Sequence, residues 1–346
     1  MTDKANNMKI CLYIEFYHFL GGVLYKNIGT GLLSSYKNQR KSLGQLGIEF
    51  TEKWDGSCDI LQINTPWLKS IYLIKKAKRQ GKKVVIWSHV TVEDFQQVFR
   101  FNKFILPLLK KYLAYAYSLA DVVFCPSQYT KSLLAAYGLP EDKLTVQSNG
   151  VDRSLYYPDN AKRAAARKQY RLQGIVIGNV GLVIPRKGVD SFIKLARRFP
   201  EHQFIWFGKI YNKIMAKSLP KKLPANVRFT GYVDDINAAF NTLDIFLFPS
   251  YEENQGMVIL EAAAIGLPML IRQIPTYQGW LFHNQNCLLA KDDGELEKEL
   301  GQLLQDADLR NHLRAGAELL AQKESLAVQN KKLLAIYQKL LKGIPL

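Results

Sequence analysis

The sequence predicts an α/β protein made of two parallel-sheet domains, and three observations predict it. Short continuous apolar runs recur along the chain with helical patterns between them, the alternation of a parallel sheet with crossover helices. That alternation breaks once, around Asn149-Gly-Val-Asp152, and resumes after Tyr170. The 346 residues, 48% of them hydrophobic, are enough to fill two cores of ordinary size.

In the first half the apolar runs are residues 10–14, 60–63, 84–87 and 122–125; in the second they are 175–180, 203–207 and 245–248. Each is apolar without alternation, as a strand buried on both faces should be. Between the halves come Tyr156-Tyr-Pro158 and a basic helical segment, 161–170. The boundary is therefore drawn at residue 152, giving domains 1–152 and 153–346. A polar amphipathic helix is predicted over about 322–341.

Lysine and arginine number 47 against 30 acidic residues, a formal charge of +17. Such an excess favours polyanions or an anionic membrane surface as partners. Cys11, Cys58, Cys125 and Cys287 form no Cys-x-x-Cys pair and read as reduced core residues. The polar N-terminal stretch argues against a secretory signal, and no segment reaches the ~20 apolar residues of a membrane span.

The most informative string is Phe248-Pro-Ser-Tyr-Glu-Glu-Asn-Gln-Gly256, followed by an Ala-rich helix to Ile265 and by Gly266-Leu-Pro268. It reads as strand, loop, helix, with Glu253 in the loop and Glu261 on the helix. A helix start after a parallel strand offers unpaired N–H groups to a phosphate, and Gly256 lets the chain approach closely. Carboxylates beside it accept hydrogen bonds from sugar hydroxyls. An ordinary glutamate is a solvated surface charge, so spacing alone leaves both readings open.

The whole string resembles the signature of the retaining glycosyltransferases of family 4. The resemblance implies a GT-B fold, two Rossmann-like domains with parallel sheets facing a cleft. It makes Glu253 the residue near the donor-sugar hydroxyls and Glu261 the one that holds the ribose. It also implies that the helix near 322–341 crosses back to the first domain.

A second motif, Gly178-Asn-Val-Gly181-Leu-Val-Ile-Pro-Arg186-Lys187-Gly188, follows the first strand of the second domain. Its glycines permit close backbone approach, and two cations stand where a diphosphate needs neutralising. The family places an arginine directly after Gly181; here that position is Leu182, and Arg186 beside Lys187 is expected to supply the charge. Gly29-Thr-Gly31-Leu-Leu-Ser34 imitates half of a dinucleotide fingerprint, but it ends in Ser and starts well beyond the first strand. The resemblance instead makes the loop containing Gly21 and Gly22 part of the acceptor cleft.

His89 follows a buried strand, at the sheet end where α/β proteins bind ligands. The resemblance gives His89 a contact with the donor sugar and reacting centre. Glu93 and Asp94 either cap the following helix or, by resemblance to the glycolipid-forming branch, meet the acceptor hydroxyl. The next segment, from Phe99 and Arg100 through Lys103, Phe104, Lys110 and Lys111, mixes aromatics, leucines and cations as an interfacial membrane helix does. From Lys69 to Lys111 there are eleven basic residues and two acidic ones.

Taken together these motifs resemble the diglycosyldiacylglycerol synthases of Gram-positive membranes. The expected activity is hexosyl transfer with retention from a UDP-sugar, galactose favoured, to α-monoglucosyldiacylglycerol, at the cytoplasmic face of the cell membrane. The alternative is α-glucosyl transfer to 1,2-diacylglycerol. A nucleic-acid-binding protein or a non-catalytic interaction protein on the same scaffold are readings of another class; no recognisable nucleic-acid-binding motif supports the former. Lys187 and Arg186, with the helix start, are expected to stabilise the leaving diphosphate in a front-side substitution. No cofactor or metal is required beyond the donor, with divalent cations or anionic lipid as stimulants; Asp306-Ala-Asp308 is read as a surface feature.

Overall fold

The computed structural model describes residues 8–15, 31–95, 102–210 and 222–345, with the side chains of 95 and 102–104 set aside. Two six-stranded parallel sheets organise it. The first contains β1 (Lys9–Tyr13), β2 (Glu49–Thr51), β3 (Ile60–Ile63), β4 (Lys83–Trp87), β5 (Val122–Cys125) and β6 (Leu144–Val146), in the order β2-β1-β3-β4-β5-β6. The second contains β7 (Val176–Val180), β8 (Gln203–Phe207), β9 (Val227–Gly231), β10 (Ile245–Phe248), β11 (Met269–Arg272) and β12 (Leu288–Ala290), in the order β12-β11-β10-β7-β8-β9.

The helices of the first unit are α1 (Gly31–Gln45), α2 (Leu68–Arg79), α3 (Asn102–Ser118) and α4 (Gln128–Ala136). Those of the second are α5 (Asn160–Tyr170), α6 (Val189–Arg198), α7 (Ile236–Asn241), α8 (Met257–Ile265), α9 (Asp293–Gln305) and α10 (Ala307–Lys323). The last helix, α11 (Leu326–Lys342), belongs to the first unit, which also holds Leu32–Gly150, while Val151–Ser325 form the second. Leu333, Tyr337 and Leu340 of α11 bury themselves against Ile10, Leu12, Trp87 and Phe124 on one face of the first sheet. Leu73, Leu113, Tyr117 and Leu134 cover the other.

The helix predicted over 322–341 is thus two elements. Glu324 and Ser325 leave helical geometry because Val151 N donates to Glu324 O at 2.9 Å and Val151 bridges Ser325 in parallel. Asp306, which the sequence places in a helical stretch, is the N-cap of α10, its carboxylate accepting from Leu309 N at 2.8 Å. All four cysteines are free and buried. Among the described residues no helix is long and apolar enough to cross a membrane.

Candidate functional site

In an open parallel sheet, ligands bind beyond the carboxyl ends of the strands where the winding direction reverses. In the second sheet that point lies between β7 and β10. Residues 181–188 follow β7 and residues 249–256 follow β10, so both sequence motifs open at the same place. They interlock there. Gly188, at φ +78°, is so close to Pro249 that an added Cβ would stand 2.1 Å from the Pro249 carbonyl oxygen. Tyr251 N donates to Arg186 O at 2.9 Å, and Arg186 Nη1 donates to Glu252 O at 2.6 Å.

Between these loops Lys187 Nζ is hydrogen-bonded and ion-paired to Glu253 Oε1. Ser250 Oγ donates to the same oxygen at 2.7 Å, and Thr276 Oγ1 fixes the Glu253 main-chain carbonyl at 2.7 Å. The two side chains are 14% and 8% exposed, so the pair is shielded from bulk water without being sealed off. Burial would raise the Glu253 carboxyl, but the Lys187 and Arg186 charges, with hydrogen bonds from Lys187 and Ser250, outweigh it and hold the carboxyl below its ordinary range. Lys187 also stands 5.2 Å from the centre of the Phe248 ring.

Gly256, at φ +82°, opens α8 in a left-handed conformation, and no side chain caps the helix start. The first-turn N–H groups there are suited to an anion. Gly181, at φ +145°, lies on the facing loop. Glu261 is carried on the same α8, 5% exposed. Burial lifts its carboxyl to about 7, and a hydrogen bond with the Tyr156 hydroxyl pulls the other way. The helix that bears it is otherwise apolar all round, and all of its residues but the half-buried Val258 are buried.

Two features of this site were not read from the sequence. Tyr156 was noted only as part of the inter-domain stretch, and nothing local marks a tyrosine that meets a glutamate a hundred residues on. The other is a brace under the loops. Arg272, 6% exposed at the end of β11, donates to Pro249 O at 3.1 Å, Ser191 Oγ at 2.9 Å and Asp293 Oδ1 at 2.6 Å. Its guanidinium lies 4.3 Å from the Tyr251 ring centre. An arginine closing an apolar run was the available signal.

In the first unit His89 stands just past β4, partly buried, its ring stacked on Trp87 with centroids 5.6 Å apart. Burial drops its pKa to about 3, so the imidazole is neutral through the physiological range. Glu93 accepts from the Tyr137 hydroxyl at 2.5 Å, and Asp94 accepts from Thr91 N at 3.0 Å and Thr91 Oγ1 at 3.3 Å. Both acids, in a 3-10 turn over Glu93–Phe95, therefore have structural partners, Asp94 a local one and Glu93 one 44 residues on. Gly21, Gly22, Phe99 and Arg100 lie outside the described residues, as do the side chains of Lys103 and Phe104.

Around α3, Lys110 lies 5.0 Å from the Tyr137 ring and Lys111 is exposed. The helix also adjoins α2: Trp67 stacks on Tyr112 at 6.2 Å, and Lys75 stands 5.6 Å from the Tyr115 ring. Leu68 and Tyr72 of α2 and Leu108 and Tyr115 of α3 are exposed, Leu68 by 78% and Leu108 by 69%. Large apolar groups and cations share this face.

Family models match both halves. Residues 33–155 match the model described as Glycosyltransferase Family 4, and 174–306 match that described as Glycosyl transferases group 1. The processive diacylglycerol alpha-glucosyltransferase of Acholeplasma laidlawii is 32% identical over 97% of this chain and 99% of its own. The alpha-galactosylglucosyldiacylglycerol synthase of Streptococcus pneumoniae is 27% identical over 78% of this chain and 75% of its own. Among solved structures, Anabaena HepE in complex with UDP-glucose matches with a TM-score of 0.74, 17% identity, and 96% and 99% coverage of the two chains. The lipopolysaccharide glycosyltransferase WaaG matches at 0.68, 16% identity, and 95% and 99% coverage. Such structural neighbours carry the GT-B fold, and the two parallel sheets are of that class.

Proposed function

The chain belongs to the family 4 glycosyltransferases, and from that membership we propose that it transfers a hexose from a UDP-sugar to a diacylglycerol-type lipid with retention, giving an α linkage. The observation that carries the reading is the Lys187–Glu253 pair at the switch point of the second sheet, beside an α8 start that no side chain caps. A diphosphate there meets Lys187, Arg186 and the α8 amides, with Gly181 and Gly256 allowing backbone approach. Glu253 accepts from sugar hydroxyls and Glu261 from the ribose.

The leaving diphosphate accumulates charge as its bond to the sugar breaks, and Lys187 and Arg186 stabilise that charge. The attacking lipid hydroxyl passes its proton to the departing diphosphate on the same face, which keeps the anomeric configuration. His89, neutral at working pH, contacts the sugar as a hydrogen-bonding group. Glu93 and Asp94 are assigned to the acceptor side, and the loop of Gly21 and Gly22 to the acceptor cleft.

The full-length likeness to a diacylglycerol glucosyltransferase favours glucose as the sugar and diacylglycerol, or its monoglucosyl form, as the acceptor. Galactose transfer to the monoglucosyl lipid is the second reading, favoured by the galactosylglucosyldiacylglycerol synthase. The exposed apolar and basic face of α2 and α3 docks the enzyme peripherally on the cytoplasmic leaflet. No metal is assigned to the reaction.

The test is incubation with anionic vesicles holding either diacylglycerol or α-glucosyldiacylglycerol, with labelled UDP-glucose and UDP-galactose in separate reactions. Label in lipid from one combination names donor and acceptor. Nucleotide binding without lipid labelling in any of the four defeats the acceptor class, and absence of UDP binding defeats the transferase reading.

A further inference from the structure

A chain of buried side-chain amides reaches His89 from α11, and its direction can be deduced from one backbone group. The Tyr13 carbonyl, an acceptor only, faces Asn64 Nδ2 at 3.5 Å and also accepts Asn64 N at 3.0 Å. Asn64 must therefore turn its Oδ1 the other way, where it accepts Gln39 Nε2 at 2.8 Å. Gln39 then presents its own Oε1 to Gln62 Nε2 at 2.9 Å, and Gln62 Oε1 accepts the Tyr337 hydroxyl. The two hydrogens of Gln39 Nε2 go to Asn64 Oδ1 and to Ser35 Oγ at 3.1 Å; Ser35 sends its own hydrogen to Asn149 Oδ1 at 2.6 Å. Gln39, Gln62, Asn64 and Tyr337 are each 4% exposed or less, so none of these groups exchanges its partner for bulk water at little cost.

His89 Nε2 closes the network. It lies 3.2 Å from Asn64 Oδ1 and 3.3 Å from Ser35 Oγ, and 3.4 Å from Gln39 Nε2, whose hydrogens are already placed. Asn64 Oδ1 can only accept and the Ser35 hydrogen is committed to Asn149, so the hydrogen of the contact has to come from the ring.

We propose that Gln39, Asn64, Gln62 and Tyr337 are positioning residues that hold His89 as one neutral tautomer, with the hydrogen on Nε2 and the lone pair on Nδ1. The ring then acts through hydrogen bonds and orientation, not as a proton carrier. Its neutral state agrees with the fall of its pKa on burial. The catalytic consequence rests on the reading of His89 as a contact of the donor sugar; the tautomer itself does not.

The test is long-range proton–nitrogen NMR on the full chain carrying nitrogen-labelled histidine, with His89 identified among the five histidines by the signal lost in His89→Asn. A pyrrole-type Nε2 and a pyridine-type Nδ1, unchanged between pH 6 and 8, are expected. A protonated Nδ1, or an imidazolium in that range, overturns the proposal without any further variant. Asn64→Leu should release the ring into mixed tautomers and lower kcat ~10- to 100-fold with little change in KM for the sugar nucleotide. Tyr337→Phe, at the far end of the chain, should do the same more weakly and tests the relay if Asn64→Leu does not fold. Unaltered His89 nitrogen shifts in whichever of these variants folds overturn the positioning role. Mixed tautomers with undiminished transfer leave the positioning role standing and remove His89 from the sugar contact.

Discussion

Lys187 Nζ donates to Glu253 Oε1, so the residue assigned to the diphosphate and the residue assigned to the sugar hold each other in place. Each is the other's counter-ion in a site of low exposure, which makes their substitutions asymmetric. Lys187→Ala removes the nearest cation and leaves a shielded carboxylate with only the Ser250 hydrogen bond and the Arg186 charge, so it will take up a proton more readily than in the wild type. Turnover should fall ~100- to 1,000-fold, with Lys187→Arg intermediate. Steady-state kinetics with UDP-sugar decide it, and an unchanged kcat in Lys187→Ala would falsify the diphosphate assignment.

As the proposed ribose contact, Glu261 should make nucleotide binding depend on pH. With its carboxyl at about 7, it is mostly protonated in the folded protein at pH 5 to 6. Ribose hydroxyls bind best to the ionised form, so UDP affinity should rise by up to about tenfold per pH unit toward pH 7 and then level. Calorimetric titration from pH 5.5 to 8 reads this slope, and Glu261→Gln should flatten it. The stability linkage has the opposite sense. A carboxyl raised in the folded state adds stability below its ordinary value of 4.5 that is lost as pH climbs through 7.

The Arg272 brace should prove structural. Arg272→Met leaves Asp293 and the Pro249 carbonyl without their buried donor, and a loss of about 3 kcal/mol or more is expected in urea unfolding. Burial would raise the Asp293 carboxyl, but hydrogen bonds from Ser191, Lys194 and Arg272 bring it to about 2. That depressed value adds stability above the ordinary 3.8, lost as pH falls toward 2. Part of the acid sensitivity of the wild type should therefore vanish in Arg272→Met. An unchanged midpoint and acid limb would show that the brace does not stabilise the fold.

For the α2 and α3 face, vesicle sedimentation gives the measure. Lys75→Ala and Lys111→Ala should each weaken binding to anionic vesicles by about 1 kcal/mol, roughly fivefold, and the loss should shrink in high salt. Tyr72→Ser with Leu108→Ser should weaken it at every salt concentration. Equal binding of all variants would place the membrane contact elsewhere on the chain.

The strands legible in the sequence are those with neighbours on both sides. β1, β3, β4, β5, β7, β8 and β10 are interior strands with nearly continuous burial, and each has an apolar run. The runs at 10–14, 84–87 and 175–180 differ from their strands only by a residue at either end. β2, β6, β9 and β12 passed unnoticed, and all four are sheet edges. An edge strand pairs on one side only, so its sequence need not be apolar throughout; β2 and β9 have no fully buried residue. The fifth unread strand, β11, is interior but ends in Arg272, whose charge is compensated by Asp293, 21 residues further along the chain and beyond any local window.

The site divided in the same way. Glu253, Glu261, Arg186, Lys187, Gly181 and Gly256 lie on two contiguous segments, so their likeness to a family pattern is readable before folding. Tyr156 and Ser250, which hydrogen-bond the two glutamate side chains, and Thr276, which fixes the Glu253 main-chain carbonyl, are brought in by tertiary contact or by chemistry too common to flag. Around His89 the same holds more strongly: Ser35 and Gln39 come from α1, Gln62 and Asn64 from β3 and its end, Asn149 from the stretch after β6 and Tyr337 from α11, and a buried glutamine looks like any surface one in a sequence.

The return of α11 to the first sheet also has a meaning in time. During synthesis β6 leaves the ribosome about 180 residues before α11 does, which at ~10 residues per second is a delay on the order of 20 s. Through that interval Ile10, Leu12, Trp87 and Phe124 lack the helix that covers them in the finished protein. The N-terminal half is thus the first made and the last completed, and a nascent chain halted before Leu326 should present that uncovered apolar face to chaperones.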